Sequence, residues 1–135
     1  MSERSLEQER AAHALSAVNS IKNESYAGKF RSYVERLPAA IVMNGLGQAM
    51  AGELAAAGRA ESEDEKDKDK KAHRKLYDLV EAWIRSRGIY SESDLIKAIV
   101  RGSQEQYVLA QAEALAYLEW LKKFSQAFLE KDKGV

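Results

Sequence analysis

Residues 30–58 read FRSYVERLPAAIVMNGLGQAMAGELAAAG, and how this stretch is divided decides the fold. It holds the chain's one proline, Pro38, and its most uniformly apolar run. A proline ends the helix before it but is tolerated in the first turn of the next, where its missing N–H is not needed. The division predicted is one helix ending at Leu37 and another over residues 38–57. In the latter, Ile41, Val42, Met43, Leu46, Ala49, Met50, Leu54 and Ala57 occupy nearly every face, interrupted by Asn44, Gln48 and Glu53. A helix apolar almost all round is a buried one. Residues 38–57 are therefore expected at the centre, with Gly45 and Gly47 letting a neighbour approach closely. Asn44 and Gln48, one turn apart, read either as buried amides bonded to adjacent helices or as a polar edge facing a partner.

Upstream, Ser5 and Gln8 have the spacing of a capping box and open a helix whose stripe is Ala11, Ala14, Leu15, Val18 and Ile21. After a break at Asn19 to Ser25, Tyr26, Phe30, Tyr33, Val34 and Leu37 recur at three and four. Downstream, Gly58 ends the organising helix, and residues 59–71, RAESEDEKDKDKK, have no apolar face and read as a mobile, solvated loop. Leu76, Leu79, Val80 and Trp83 define a fourth helix closed by Gly88. Ser91 to Asp94 start a short fifth with Leu95, Ile96, Ile99 and Val100 inward. Gly102 ends that one, and Ser103 with Gln106 caps a long sixth. No run alternates with period two over strand length. The expected fold is all-α: a single domain over residues 1–135, a bundle of about six helices around the buried helix 38–57.

The bulk numbers narrow the function by exclusion. Of 135 residues, 45% are hydrophobic and 31% charged, an ordinary globular balance, and 21 basic residues offset 21 acidic ones. Any binding of anions must come from clustering on one face. The absence of cysteine removes disulfides and thiolate metal sites and suits a reducing cytoplasm. MSERSLEQER lacks an apolar signal core, and no segment approaches the roughly 20 apolar residues of a membrane span. A cytoplasmic protein without membrane contact is expected. His13 and His73, the two histidines, fit no metal-ligand spacing and read as surface or capping residues. Gly45-Leu46-Gly47 fails as a dinucleotide loop, because Met50 stands where the third glycine belongs and no strand precedes it. No catalytic residue, metal, cofactor or small-molecule ligand is expected, and the protein reads as a non-enzyme.

Two basic clusters remain. Lys22, Lys29, Arg31 and Arg36 lie within fifteen residues that hold only Glu24 and Glu35 as acids, and Arg85, Arg87, Lys97 and Arg101 bracket the fifth helix. Each reads either as a solvated helix face or as a nucleic-acid contact. On the last helix, Tyr117, Trp120, Phe124 and Phe128 form an aromatic stripe beside an aliphatic one. Core packing against two helices accounts for it. An exposed Trp120–Phe124 patch would instead mark a protein interface.

The residues Leu6-Glu7-Gln8-Glu9-Arg10-Ala11, Lys29, Ser32-Tyr33-Val34, Leu37-Pro38 and Asn44-Gly45-Leu46-Gly47-Gln48-Ala49 resemble the small helical subunit of Cmr-type (type III-B) CRISPR effector complexes. The Leu76-Tyr77 to Trp83 helix and the long last helix extend the resemblance over most of the chain. It implies a non-catalytic subunit of an antiviral ribonucleoprotein. Several copies would stack beside the other subunits and line the channel in which target RNA pairs with guide RNA. The basic residues expected to touch RNA are then Arg10, Lys22, Lys29 and Arg31, followed by Lys97 and Arg101. The alternatives are a helix-turn-helix reading DNA through the fifth and sixth helices, and a purely protein-binding helical adaptor.

Overall fold

A computed structural model describes residues 3–58 and 67–132. Six helices are described, in order: α1 (Leu6–Ile21), α2 (Ala27–Asn44), α3 (Leu46–Ala57), α4 (Lys68–Ser86), α5 (Leu95–Arg101) and α6 (Gln104–Phe128). Among the described residues there is no strand. The fold is an all-α, single-domain bundle, as the periodicities imply.

Local chemistry sets most of the boundaries. Ser5 and Gln8 exchange both capping-box bonds, at 3.1 and 2.8 Å, and Ser103 and Gln106 repeat the arrangement at the start of α6. Asp94 accepts from the Lys97 N–H and opens α5. Gly88, at φ +69°, lies just past α4 in the left-handed region that favours glycine.

The organising stretch divides differently from the expectation. No helix spans residues 38–57: α2 runs through Pro38 to Asn44, and the break falls at Gly45. The reason is packing. Phe30, Val34, Leu37 and Ile41 form one buried stripe that continues across the proline. Keeping this stripe on one helix outweighs the roughly 3 kcal/mol that an interior proline costs. At Gly45 the backbone takes φ +88°, ψ 158°, a conformation essentially reserved for glycine. Side chains of α6 then cap the new helix: Gln111 Oε1 accepts from the Leu46 N–H at 2.9 Å, and the Tyr107 hydroxyl accepts from the Gly47 N–H at 3.1 Å.

This turn reorients the apolar run. Val42 and Met43, expected inside, are 70% and 81% exposed, while Leu46, Ala49, Met50 and Ala57 of α3 are buried. Asn44 and Gln48 lie on different helices and Asn44 is exposed, so the buried-amide pair does not form. The fully enclosed core is shared by five helices: Val18 and Ile21 come from α1, Phe30, Val34 and Ile41 from α2, Leu46 and Met50 from α3, Leu76 and Ile84 from α4, and Tyr117, Leu118 and Leu121 from α6. α6 packs against α1, α2 and α4, and α4 against α2 and α3. Of the charged stretch 59–71, residues 59–66 lie outside the described residues, and Lys68 to Lys71 belong to α4.

Candidate nucleic-acid interface

At one end of the bundle four chain segments meet: the end of α1, the start of α2, the start of α4 and the tail after α6. Leu129 turns extended backbone away from α6 and buries its side chain. The tail then lies across α2. Arg31 Nη1 donates to the Leu129 carbonyl at 2.9 Å, and Lys29 Nζ reaches Asp132 at 3.0 Å. Between them, a Cβ on Gly28 would stand 2.8 Å from the Asp132 Cα, so only glycine lets the tail pass this close. The resulting cleft, about 600 Å³, is lined by Lys22, Lys29, Lys68 and Lys131 together with Glu24, Glu130 and Asp132. Lys22, Lys68 and Lys131 make no ion pair among the described residues. The Asp132 hydrogen bond, with Asp69 nearby, raises the Lys29 pKa and keeps it protonated. Four lysines against three carboxylates make a weakly cationic, hydrogen-bonding surface suited to phosphate groups.

The expected RNA-binding residues divide on this geometry. Lys22, Lys29 and Arg31 come together here, and Lys68 and Lys131 join them from segments that sequence spacing does not connect. Lys97 and Arg101 sit on α5, beside the start of α6, whereas Phe128 at its other end lines the cleft. A 25-residue helix, about 37 Å, separates them. Lys97 is exposed, and Arg101 pairs with Glu92 at 3.2 Å.

Arg10 is engaged inside the bundle. Its guanidinium grips Glu113 with two bonds, at 2.7 and 3.0 Å, and touches Glu7 at 3.3 Å. Glu113 also accepts from Trp83 Nε1 at 2.9 Å. The Arg10 bond, aided by Trp83, holds the Glu113 pKa below its ordinary value against the opposing effect of burial. Beside this network His13 Nδ1 meets the Tyr117 hydroxyl at 2.7 Å, and Tyr117 stacks on Trp83 with ring centroids 5.3 Å apart. His13 is thus an interhelical packing residue, not the surface or cap residue expected, and burial lowers its pKa. His73 is likewise built in, at 3.0 Å from Glu53. Neither role has a local signature, since the partners lie on other helices.

The aromatic stripe is half inside. Trp120 and Phe124 are partly buried against the core, with Trp120 Nε1 donating to Glu7 at 3.1 Å, and Phe128 is 47% exposed. Among the described residues no group of three or more histidines and carboxylates is arranged to hold a metal ion. No described helix is long and apolar enough to cross a membrane.

Comparison with known proteins agrees with this architecture. The family model of CRISPR-associated protein (Cas_Cmr5) matches residues 6–128, from the first helix through the last. Among solved structures, the crystal structure of a CRISPR-associated Cmr5 family protein from Thermus thermophilus superposes with a TM-score of 0.69 at 27% identity, covering 94% of this chain and all of the other. The chain therefore belongs to the Cmr5 family, the small subunits of Cmr-type CRISPR complexes.

Proposed function

We propose that the protein is a non-catalytic small subunit of a type III-B CRISPR ribonucleoprotein in the cytoplasm. Several copies stack beside the other subunits and line the channel where target RNA pairs with guide RNA during antiviral defence. The observation that carries this reading, beyond family membership, is the lysine cleft at the α1–α2 junction. Lys22, Lys68 and Lys131 line one cleft and make no ion pair among the described residues, while Arg31 and Gly28 fix the tail that supplies the last of them. A surface so close to electroneutral binds RNA weakly alone and adds its contacts when an assembly presents the strand. Of the basic residues expected from the sequence, Lys22 and Lys29 are assigned to phosphate contact, with Lys97 and Arg101 facing a separate part of the assembly. Arg10 and Arg31 act by holding the fold and the tail.

Contacts with other subunits are assigned to apolar residues the fold leaves outside: Val42 and Met43 at the end of α2, and Phe128 beside Trp120 and Phe124. The helix-turn-helix alternative fits less well. The start of α6 presents Gln104 and Glu105, which suit a polar groove, but beside them stand Val108 and Leu109, each 59% exposed, and its first turns carry no cation to meet DNA.

The test replaces Lys22, Lys68 and Lys131 with alanine in the assembled complex and measures target-RNA affinity against salt. For single strands each lost phosphate contact changes the log–log slope by roughly 0.7, so the triple variant should lower it by about two units. Guide RNA loading should be retained. An unchanged slope and affinity in an intact assembly would refute the assignment.

A further inference from the structure

A second cleft, about 380 Å³, opens between α2, α3 and α4 and is lined by Tyr33, Arg36, Leu37, Ala40, Glu53 and His73. Its walls differ in kind from those of the lysine cleft. The Tyr33 and His73 rings stack face to face, centroids 3.8 Å apart and planes 12° from parallel. The Arg36 guanidinium stands over the Tyr33 ring, 5.0 Å from its centroid. Stacked aromatic and guanidinium surfaces are what unpaired bases lie against in single-strand binding proteins.

The platform is held in place before any ligand arrives. The Tyr33 hydroxyl donates to Asp69, and burial with that bond pushes its pKa up to about 12, so the phenol stays neutral and pinned. His73 is pinned from its other side by Glu53 Oε1 at 3.0 Å. Glu53 Oε2 makes no hydrogen bond among the described residues, although the Glu53 side chain is only 16% exposed. Leu37 and Ala40 supply an apolar floor. The cleft also continues the lysine face, since Lys29, Tyr33 and Arg36 recur at spacings of four and three along α2 and Lys29 Nζ lies 3.8 Å from the same Asp69.

We propose that this cleft seats one unpaired base of a single RNA strand whose phosphates run along Lys29 and Arg36. The base lies on the outer face of His73, the face that the Tyr33 stack leaves uncovered, with Tyr33 backing that ring, and its exocyclic amino group donates to Glu53. A carboxylate accepts from the cytosine N4 amino group, whereas uracil carries a carbonyl at that position, so cytosine is favoured over uracil. The inference rests on the RNA-binding reading above and adds a base-reading element to it.

The experiment tracks the Tyr33 and His73 ring signals of the full chain by NMR at low ionic strength. The strands added are a cytidine heptamer, a uridine heptamer or an abasic heptamer, with cytidine monophosphate as the free-nucleotide arm. The cytidine strand should shift both rings and bind at least about fivefold tighter than the abasic one, the smaller end of what base–aromatic stacking supplies. Glu53→Gln should erase the preference for cytidine over uridine. Tyr33→Phe, which keeps the ring, should retain binding, and Tyr33→Leu should lose it. Thermal unfolding of each variant separates loss of fold from loss of the seat, and Glu53→Gln with Tyr33→Phe decides the matter if Tyr33→Leu unfolds. Equal affinity for all three strands with unmoved ring signals would overturn the seat while leaving the lysine cleft standing. Binding by none of them would overturn the seat as well, while the lysine cleft is judged separately, by the salt dependence of target affinity in the assembled complex. Free cytidine monophosphate binding as tightly as the heptamer would overturn the strand version of the site.

Discussion

Replacing Gly45 with alanine tests the turn that divides α2 from α3. At φ +88°, ψ 158° a side chain is strained wherever space exists, at a cost of about 1–3 kcal/mol. Space is also lacking, because the new methyl would stand 2.8 Å from the Tyr107 hydroxyl. That hydroxyl can retreat only by releasing the Gly47 N–H it caps, at 3.1 Å, a loss of about 1 kcal/mol. The combined destabilisation is about 2–4 kcal/mol. An unfolding entropy near 2.1 cal/mol/K per residue amounts to about 0.28 kcal/mol/K for 135 residues, so Tm should fall by about 7–14 °C. Far-UV circular dichroism with urea titration reads both quantities. Gly47→Ala is the control: its backbone is helical and its nearest contact, Ile99 Cγ2 at 3.3 Å, is a movable side chain. That variant should stay within about 1 kcal/mol of the parent. Adding Tyr107→Phe to Gly45→Ala should restore only part of the loss, since the backbone strain remains. Equal stability of the two glycine variants would refute the argument.

The network between α1, α4 and α6 gives two further expected outcomes. Arg10→Ala leaves the Glu113 carboxylate largely buried with Trp83 as its remaining hydrogen-bond partner among the described residues, and should cost about 3 kcal/mol by urea unfolding. Arg87→Ala, which removes a more exposed 3.4 Å pair with Glu9, should cost under about 1 kcal/mol. The same network sets the acid limb of stability. Burial lowers the His13 pKa below its ordinary 6.5, so its contribution is complete above 6.5 and is lost as pH falls through the folded value. The Glu113 pKa is held below 4.5, so its contribution is present above 4.5 and disappears as pH falls further. Denaturation midpoints measured against pH should decline in two stages, and His13→Gln should flatten the upper one. Parallel curves for parent and variant would contradict this account of His13.

The features legible in the sequence are those that depend on neighbours in the chain. Ser5 with Gln8 and Ser103 with Gln106 are complete signals, because a capping box is made within four residues. The helix over Leu76 to Ile84 is equally plain from its apolar spacing. The break in the organising stretch is not. Pro38 is the stronger local breaker, yet Gly45 receives the turn because Gln111 and Tyr107, more than 50 residues away, cap the start of α3. The candidate interface shows the same limit. Lys22 and Lys29 belong to a visible cluster, but Lys68 and Lys131 reach the cleft only because the start of α4 and the tail fold against α2. Arg10 has the local setting of an ordinary surface arginine because its partner, Glu113, lies 103 residues further on. Nothing near His73 in the chain signals its stack on Tyr33, which requires α2 and α4 to be side by side.

The pairing of α1 with α6 also imposes a timetable on synthesis. Arg10 with Glu113 and His13 with Tyr117 join positions 103 and 104 residues apart. At about 5–20 residues per second, the ribosome needs roughly 5–20 s to deliver the second partner of each pair after the first. For that interval the Ala14, Ala17, Val18 and Ile21 face of α1, fully or nearly enclosed in the finished protein, has no α6 to cover it. α2, α3 and α4 can dock on one another meanwhile, since their contacts are nearer in the chain. The nascent protein thus passes through a stage with an assembled middle and an uncovered first helix, the segment on which a holding chaperone would have most to grasp.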